Sequence, residues 1–446
     1  MDLNHARLPI PPYPHILAAV CLRLCYYITI GSFCQGVFAN FSKSFFAIFS
    51  KVCYNRFRLI MREWILTKMT IYLDSAATSR PSGACLDAMC AAMRETYGNP
   101  SSLHRFGLDA QLCMEQARRQ IAAALGCEAA AVLFTSGATE SNHLAIRGAA
   151  YAYGRRKRRV VTTTVEHACV KGAFDMLEAE GYEVIRVSPD ADGILHAKDF
   201  AAAVNDDTCL ASMMYVNNET GACLPVREAF MQIRREHPQV ITHCDAVQAF
   251  MKIPFAPEKL GADLLTVSGH KVHACKGVGA LYHKKGIRLI PLMKGGEQEG
   301  MIRPGTESVP LIAGFGAAVS ELRATIAERA EYVSGLRREC IRQLSGLDGI
   351  TVNSPEDGSP YILSFSVRGL RSETMLHFLS DRDIFVSSGS ACSKGKQSGV
   401  LQQFGVKQDL ADSTLRVSFC AENTQEEITA LCTALKAAQQ QLVHKR

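Results

Sequence analysis

The segment TVSGHKVHACKGVGALY (266–282) contains two apolar runs separated by a polar turn, and the first run leads into a lysine, Lys271. Continuous apolar strands are typical of a parallel sheet that is covered on both faces. In open α/β sheets, ligands bind outside the carboxyl ends of the strands. The segment therefore predicts an α/β fold with a lysine at the sheet edge where a ligand site would form.

The alternation of short apolar runs with helical patterns continues on both sides of this segment, as in repeated βαβ units. Helical patterns include 141–154, 167–181 and 227–237. We predict one mostly parallel, seven-stranded sheet. Its strands are AVLFT (131–135), RVVTTT (159–164), EVIRVS (183–188), LASMMYV (210–216), VITHCDA (240–246), LLTVSG (264–269) and GALYH (279–283).

A smaller C-terminal α+β domain is predicted after a long helical pattern at 309–346. Its strand candidates are ILSFSV (362–367), IFVS (384–387) and LRVSF (415–419), with helices near 372–381 and from about 424. We divide the chain into an N-terminal extension (1–69), a large domain (70–320) and a small domain (321–446) that carries a Ser- and Gly-rich cysteine loop.

The N-terminal extension differs in composition from the rest of the chain. Residues 1–69 hold eight Lys and Arg against two acids and 12 of the 34 aromatic residues. Since the whole chain carries a net charge of +6, the remainder is neutral, and we expect no direct binding of nucleic acid. The apolar stretch 16–41 resembles a signal peptide or membrane anchor, but Arg23 interrupts it. We favour a start of translation at Met69.

The 17 cysteines are scattered singly, their number is odd, and no C-x-x-C pair occurs. A disulfide framework or a structural zinc site is therefore not predicted, and a reducing cytoplasm is the expected location. His270, His273 and Cys275 lie close together in the sequence, but their spacing matches no standard zinc pattern. We predict no metal site.

Polar residues follow several of the predicted strands, and each has a structural as well as a functional interpretation. Lys271 is either a surface residue or a desolvated lysine that forms a Schiff base. FTSGATESNH (134–143) is either a simple helix cap or a phosphate site, in which backbone N–H groups and hydroxyls bind the anion. VEHACV (165–170) places His167 at a further strand-to-helix junction, where a lone histidine is usually structural.

THCDAVQ (242–248) and VNNETG (216–221) complete this set of strand ends. Asp245 would either cap the next helix or hold a pyridinium nitrogen in its protonated form. In VNNETG, the side chains of Asn217, Asn218 and Glu219 would either form a turn or contact a ligand. Together, the five strand ends offer phosphate donors, an imidazole, amides, a carboxylate and a lysine. This combination predicts a pocket for pyridoxal phosphate.

Eight motifs follow one another along the chain: YLDSAATS (72–79), YGNPSSLH (97–104), SGATESN (136–142), NNETG (217–221), DAVQ (245–248), SGHK (268–271), RPGTES (303–308) and SSGSAC (387–392). In type and in order they resemble the motifs of cysteine desulfurases of the NifS/IscS group. These are class V aminotransferase-like, fold-type I enzymes that depend on pyridoxal phosphate. The resemblance covers about residues 70–440 and leaves out the N-terminal extension.

The resemblance implies a role for each matching residue. Lys271 would form the covalent link to the cofactor, His167 would stack on its ring and transfer protons, and Asp245 would hold the ring nitrogen. The other residues implied in cofactor binding are Ala138, Thr139, Asn218, Gln248, Ser268, His270 and Thr306, of which Thr306 would reach the phosphate of a neighbouring subunit in a homodimer. Arg416 would clamp the substrate carboxylate, with Asn218 beside it, in a bidentate geometry suited to guanidinium.

The implied reaction converts L-cysteine to L-alanine, and Cys392 takes the sulfur as a persulfide. Cys392 must react as a thiolate, so its pKa must lie below the usual ~8.5. Its loop, SSGSACSKGKQSG (387–399), has the composition of a mobile tether. The sulfur would pass to an acceptor protein, such as an iron-sulfur scaffold or a tRNA-thiolation enzyme.

Three segments depart from the usual family pattern, namely His143, the VHAC step after Lys271, and SFCAEN after Arg416. None of them coincides with a residue assigned a catalytic role. Alternative interpretations are another class V enzyme (a selenocysteine lyase or an aminotransferase), a catalytically silent binding protein, or an anchored interaction protein built on residues 1–69. A plain aminotransferase has no use for Cys392, and a silent protein would not need Lys271 and Arg416.

Overall fold

The computed structural model describes residues 70–388 and 399–443. The N-terminal part of this region contains β1 (Ile71–Tyr72), α1 (Gly83–Glu95) and α2 (Arg105–Leu125). Seven strands follow: β2 (Val132–Thr135), β3 (Arg159–Thr163), β4 (Glu183–Val187), β5 (Thr208–Met214), β6 (Ile241–Asp245), β7 (Leu264–Ser268) and β8 (Gly279–His283). The helices between them are α3 (Ala138–Tyr153), α4 (Ala168–Ala179), α5 (Ala197–Ala202), α6 (Val226–Glu236) and α7 (Pro257–Leu260).

The seven strands form one sheet, as the sequence predicts, in the order β2-β8-β7-β6-β5-β3-β4. All neighbours from β7 to β4 are parallel, and β8 runs antiparallel between β7 and β2. Both faces are covered, because adjacent residues of one strand enter different apolar clusters: Val160 and Leu210 lie in one, Val161 and Ala211 in the other. This two-sided burial explains the continuous apolar runs in the sequence.

The C-terminal part of the described chain has its own sheet and core. Its elements are α8 (Val309–Leu344), β9 (Ile350–Val352), β10 (Ile362–Val367), α9 (Ser372–Ser380), β11 (Ile384–Phe385), β12 (Ser387–Ser388), α10 (Gly399–Gln403), α11 (Gln408–Ala411), β13 (Thr414–Ser418) and α12 (Gln425–Gln441). The antiparallel sheet has the order β12-β13-β10-β9. Strand β1 pairs with β11, so Ile71 and Leu73 join this second core.

Helix α8 connects the two regions, and the predicted domain boundary at residue 320 falls within it. Its first half contributes Phe315 and Val319 to the large core, whereas its second half contributes Leu336 and Cys340 to the small one. The helix bends at Thr325, where φ is −127°. Within the described residues, α8 is the one helix long and apolar enough to cross a membrane. Its burial in both cores is typical of a core helix. The apolar stretch 16–41 lies outside the described residues.

Candidate active site

The parallel register brings the ends of β5, β6 and β7 to the same edge of the large sheet. Met214 is the register partner of Asp245, and Asp245 that of Thr266, two residues before the end of β7. The 3₁₀ turn Gly269–Lys271 follows β7 directly. Because neighbouring parallel strands end at one edge, residues far apart in sequence meet there. The polar residues predicted at these strand ends are therefore near neighbours.

Asp245 is held in place on both of its carboxylate oxygens. The Asn142 amide donates to Oδ2 over 2.8 Å, and the Val247 backbone N–H donates to Oδ1 over 3.1 Å. Both Asp245 and Asn142 are buried. Asn142 was not predicted as a site residue, although it lies in the SGATESN motif (136–142), because nothing local to helix α3 shows which strand the amide faces.

His167 caps helix α4 with its ring. Its Nδ1 accepts a hydrogen bond from the Cys169 backbone N–H over 3.2 Å and lies 3.0 Å from the Cys169 thiol. Burial lowers the pKa of His167, the Asp245 carboxylate raises it, and the positive charge of Lys271 lowers it further. With Nδ1 accepting from the backbone, a neutral ring carries its proton on Nε2, which can then donate to a ligand.

Gln248 is oriented by two hydrogen bonds. Its Nε2 donates to the Ala76 carbonyl over 2.9 Å, and its Oε1 accepts from the Lys252 amine, also over 2.9 Å. Lys252 is buried, and burial lowers its pKa to about 7, with smaller contributions from the positive charges of Lys271 and Arg416. Lys252 was not predicted as a site residue, since a lysine four residues beyond Gln248 has no distinctive pattern.

Lys271 lies where the sequence predicts it, beyond the end of β7. Its amine donates to the carbonyl oxygens of Ala76 and Ala77, each over 2.6 Å. The neighbouring His270 ring places Nδ1 3.3 Å from the Thr78 hydroxyl. Burial, then the positive charge of Lys271, lowers the pKa of His270 to about 4. His270 is therefore neutral at pH 7 and can contribute hydrogen bonds but no charge.

The start of helix α3 and the end of β7 provide a site that fits a phosphate. Ala138 and Thr139 form the first helical turn, whose N–H groups favour anions. The Ser268 hydroxyl is buried without a hydrogen-bond partner within the described residues. Gly279 allows the backbone at Gly137, just before α3, to approach the start of β8 closely, since a Cβ on Gly279 would lie 2.7 Å from the Gly137 Cα. A buried hydroxyl of this kind is costly unless a ligand satisfies it.

These features are consistent with the donor set that pyridoxal phosphate needs. The helix start and Ser268 would bind the phosphate, Asp245 would hold the ring nitrogen, and Gln248 would face the phenolic oxygen. The fit rests on the unpartnered Ser268 hydroxyl and on the two hydrogen bonds that fix the Asp245 carboxylate. In the part of the chain that the structure describes, no group of three His, Cys, Asp or Glu residues is placed to hold a metal ion.

Arg416 reaches the same edge from the small sheet. Its guanidinium donates to the Asn218 carbonyl over 2.9 Å, to the Asp74 carboxylate over 2.9 Å and to the Ser387 hydroxyl over 3.0 Å. The Arg416 side chain is buried, and its Nε has no hydrogen-bond partner among the described residues. Asn218 was predicted to lie beside Arg416, and it contacts the guanidinium through its backbone carbonyl. The part of both residues in substrate binding stays a prediction. Asp74 was not predicted as a site residue.

Two predicted residues stand apart from this group. Cys392 lies outside the described residues, and its role stays a prediction. The cysteine loop begins beside the clamp, because Ser387 is the register partner of Arg416. Thr306 is exposed on the segment before α8, which an ion pair between Arg303 and Glu140 ties to the first turn of α3 over 2.8 Å. Its contact with a second subunit also stays a prediction.

Comparison with known proteins gives concordant matches. The model of the family "Aminotransferase class-V" matches residues 71–431. A NifS/IcsS protein homolog from Lactobacillus delbrueckii is 37% identical and covers 80% of this chain and 94% of its own. Cysteine desulfurase IscS from Anaeromyxobacter dehalogenans is 39% identical over 81% of this chain and 90% of its own. A solved NifS-like protein has a TM-score of 0.80 and 35% identity over 84% of this chain and 100% of its own.

Proposed function

The chain belongs to the class-V aminotransferase family, and we propose that it is a cysteine desulfurase that depends on pyridoxal phosphate. The observation that carries the proposal is the meeting of Arg416 and Lys271 at one sheet edge, linked through the carbonyl of Asn218 and the segment 74–77. A guanidinium beside a lysine at a cofactor site suits an α-amino acid substrate, whose carboxylate needs a cationic partner. Relatives named cysteine desulfurase support cysteine as that amino acid.

The residues of this chain divide the work of binding and proton transfer. Ser268 and the first turn of α3 would hold the phosphate, and Asp245 would keep the ring nitrogen protonated. The bound cofactor supplies an electron sink for the bond broken at the substrate α-carbon. Lys271 is the group placed to bind the cofactor aldehyde and to move the α-proton, and the neutral His167 ring can donate from Nε2.

The sulfur transfer step uses Cys392. Its thiolate attacks the substrate sulfur, the bond between that sulfur and Cβ breaks, and Cys392 keeps the sulfur as a persulfide. The electron pair of the broken bond stays with the three-carbon fragment, which takes up protons and leaves as L-alanine. The start of the cysteine loop at Ser387, beside Arg416, supports the delivery of a thiol to the substrate side of the site.

The fate of the sulfur is part of the proposal. We place the enzyme upstream of an acceptor protein, for example an iron-sulfur scaffold or a tRNA-thiolation enzyme, that attacks the Cys392 persulfide with its own thiolate. The IscS name of several relatives supports the iron-sulfur route. We further propose a homodimer in which Thr306 reaches the neighbouring site, and a cytoplasmic location. The exposure of Thr306, which leaves it available to a second subunit, supports the homodimer.

The decisive experiment compares Cys392→Ala with Cys90→Ala, a control at an exposed cysteine on helix α1. Purified protein loaded with pyridoxal phosphate is given L-cysteine without reductant, and the persulfide on the protein and free alanine are measured. We expect the parent and Cys90→Ala to form one persulfide and one alanine per subunit, and Cys392→Ala to form neither. A Cys392→Ala protein that still forms alanine at the parental rate would refute the persulfide mechanism.

A further inference from the structure

Three sulfur atoms meet beside the segment that follows Lys271. We call Cys85, Met89 and Cys275 the three-sulfur cluster. The Cys85 sulfur lies 3.8 Å from the Met89 sulfur and 4.0 Å from the Cys275 sulfur, and the Cys275 and Met89 sulfurs are 3.0 Å apart. No step of the proposed reaction uses these residues.

Local structure directs the three side chains toward one point. Cys85 and Met89 are four residues apart on helix α1, so they share one face of it. The segment that carries Cys275 is tied to the start of α1, because the Ser82 backbone N–H donates to the His273 carbonyl over 2.8 Å. On the facing helix α8, Gly314 leaves the necessary space, since a Cβ there would lie 3.0 Å from the Cys85 sulfur.

The spacing of the cluster matches what a bound metal ion requires. Three sulfurs that each lie ~2.3 Å from one ion, a usual metal–sulfur distance, are about 4 Å from one another. Two of the three separations already have this value. The third, between Met89 and Cys275, must widen by about 1 Å, which the flexible methionine side chain permits.

The composition of the cluster selects the kind of ion. Zinc prefers four ligands from Cys, His and carboxylates, and among the described residues no third such residue joins Cys85 and Cys275. Two thiolates and a thioether are the soft ligands that select Cu(I). Cys275 and Met89 are half-buried, and the exposed Lys276 and Gly277 follow Cys275, so an ion can enter from the surface.

We propose that Cys85, Met89 and Cys275 form a three-coordinate site for a soft monovalent cation of the Cu(I) type. On binding, two S–H bonds break, two metal–thiolate bonds form, and the thioether adds a lone pair. Both protons pass to solvent, and the ion keeps its oxidation state. The bound ion would join helix α1 to the segment that carries Lys271. A disulfide between Cys85 and Cys275 is the competing use of the pair, but it would leave Met89 without a role.

The geometry of the cluster weighs against this competing use. A disulfide needs the two cysteine sulfurs about 2.05 Å apart. The Cys85 and Cys275 sulfurs are 4.0 Å apart, and the Met89 sulfur lies closer to Cys275 than the Cys85 sulfur does. A metal ion displaces the proton from the thiol directly, because its bonds to sulfur compensate the cost of ionisation.

The test uses holoenzyme that carries Cys392→Ser, so that the proposed catalytic thiol does not bind the probe. Cu(I) is added without oxygen in competition with a chromophoric chelator, and tightly bound equivalents are counted. Addition of Cys275→Ser or of Cys85→Ala should remove one equivalent, whereas Cys90→Ser, an exposed cysteine on the same helix, should remove none. Equal copper content in all four proteins would refute the site. Cys275 is half-buried, so its variant is expected to fold even if Cys85→Ala does not.

Two further measurements separate the three-sulfur site from its alternatives. X-ray absorption of the copper-loaded protein should report three sulfur neighbours in the parent and two in Met89→Leu, which conserves the volume of the side chain. The same spectrum in both proteins would exclude the thioether as a ligand and overturn the three-sulfur site. A fully reduced protein that binds no copper, and that links Cys85 to Cys275 in air, would replace the proposal with a redox pair.

Discussion

The candidate active site has two halves that differ in how far they are organised without a ligand. In the half built on the large sheet, each carboxylate oxygen of Asp245 and each end of the Gln248 amide has a fixed partner, and Ser268 offers an unsatisfied hydroxyl. In the half built on the small sheet, Arg416 is already paired with Asp74. The first half has the donors in place that the proposed cofactor would need, whereas in the second half the proposed substrate carboxylate would have to share Arg416 with Asp74 or displace it.

The largest effect is expected in the large-sheet half. Lys271→Ala should abolish the covalent link to pyridoxal phosphate and lower alanine formation by ~10⁴-fold, because general base catalysis alone contributes up to about that factor. The check is the visible absorption of the reconstituted protein together with alanine release. Lys276→Ala, an exposed lysine five residues further on, is the control and should behave as the parent. Retention of the covalent cofactor in Lys271→Ala would remove the lysine from its role.

A smaller and different effect is expected in the small-sheet half. Arg416→Lys keeps the charge but loses the guanidinium fork, at a cost of about 1.5–3 kcal/mol for hydrogen bonds to a charged group. The rate constant kcat/KM for L-cysteine should therefore fall by roughly 10- to 150-fold, mainly through KM, with an unchanged visible spectrum. Arg338→Lys, at an exposed arginine of α8, should leave both unchanged. If Arg416→Lys lost the cofactor, Arg416 would also contribute to cofactor binding, and the division of the site into a cofactor half and a substrate half would be wrong.

Asn142 tests whether the large-sheet half depends on its buried hydrogen bonds. Asn142→Ala removes the donor to Asp245, and a bond to a carboxylate contributes about 1.5–3 kcal/mol. We expect the affinity for pyridoxal phosphate to fall at least tenfold, with little change in the KM for L-cysteine. Spectroscopic titration of the apoenzyme measures the first value and steady-state kinetics the second. If only the KM for L-cysteine changed, Asn142 would act on substrate binding and not on cofactor binding, and the prediction would be wrong.

The two halves also differ in what the sequence can reveal. Asp245 and Ser268 are the last residues of apolar strands, and Lys271 lies just beyond one. A parallel sheet brings such positions together by topology, so a pattern of strand ends is enough to group them. All seven strands of the large sheet were predictable from their short apolar runs between helical patterns. Thr306 and Cys392 stay predictions from the family motifs, because one concerns a second subunit and the other lies outside the described residues.

Partners that are remote in sequence are not visible in any local pattern. Asp74 meets Arg416 across 342 positions, and Asn142 meets Asp245 across 103. In the sequence, Asp74 can be interpreted simply as a turn residue and Asn142 as a polar residue on a helix. The short strand β9 was missed as well, since its residues are mostly exposed and carry no apolar run. Only the folded chain identifies these contacts.

Lys252 tests how the two halves are joined, because its charge interacts with those of both Lys271 and Arg416. Burial lowers its pKa from 10.5 in the unfolded chain to about 7 in the folded protein. Between these values the unfolded state binds a proton that the folded state lacks, so the parent gains stability as pH rises from 7 to 10.5. Lys252→Met removes this dependence.

The melting temperature of Lys252→Met, relative to the parent, should therefore be most favourable at pH 7 or below and should decline steadily toward pH 10. Loss of the hydrogen bond to Gln248 adds a cost that is independent of pH, so the slope and not the absolute difference is diagnostic. Lys276→Met, at an exposed position, should show no such slope. A parallel pair of curves for the parent and Lys252→Met would mean that Lys252 stays charged when buried. Its charge would then act on both halves of the site throughout the neutral range.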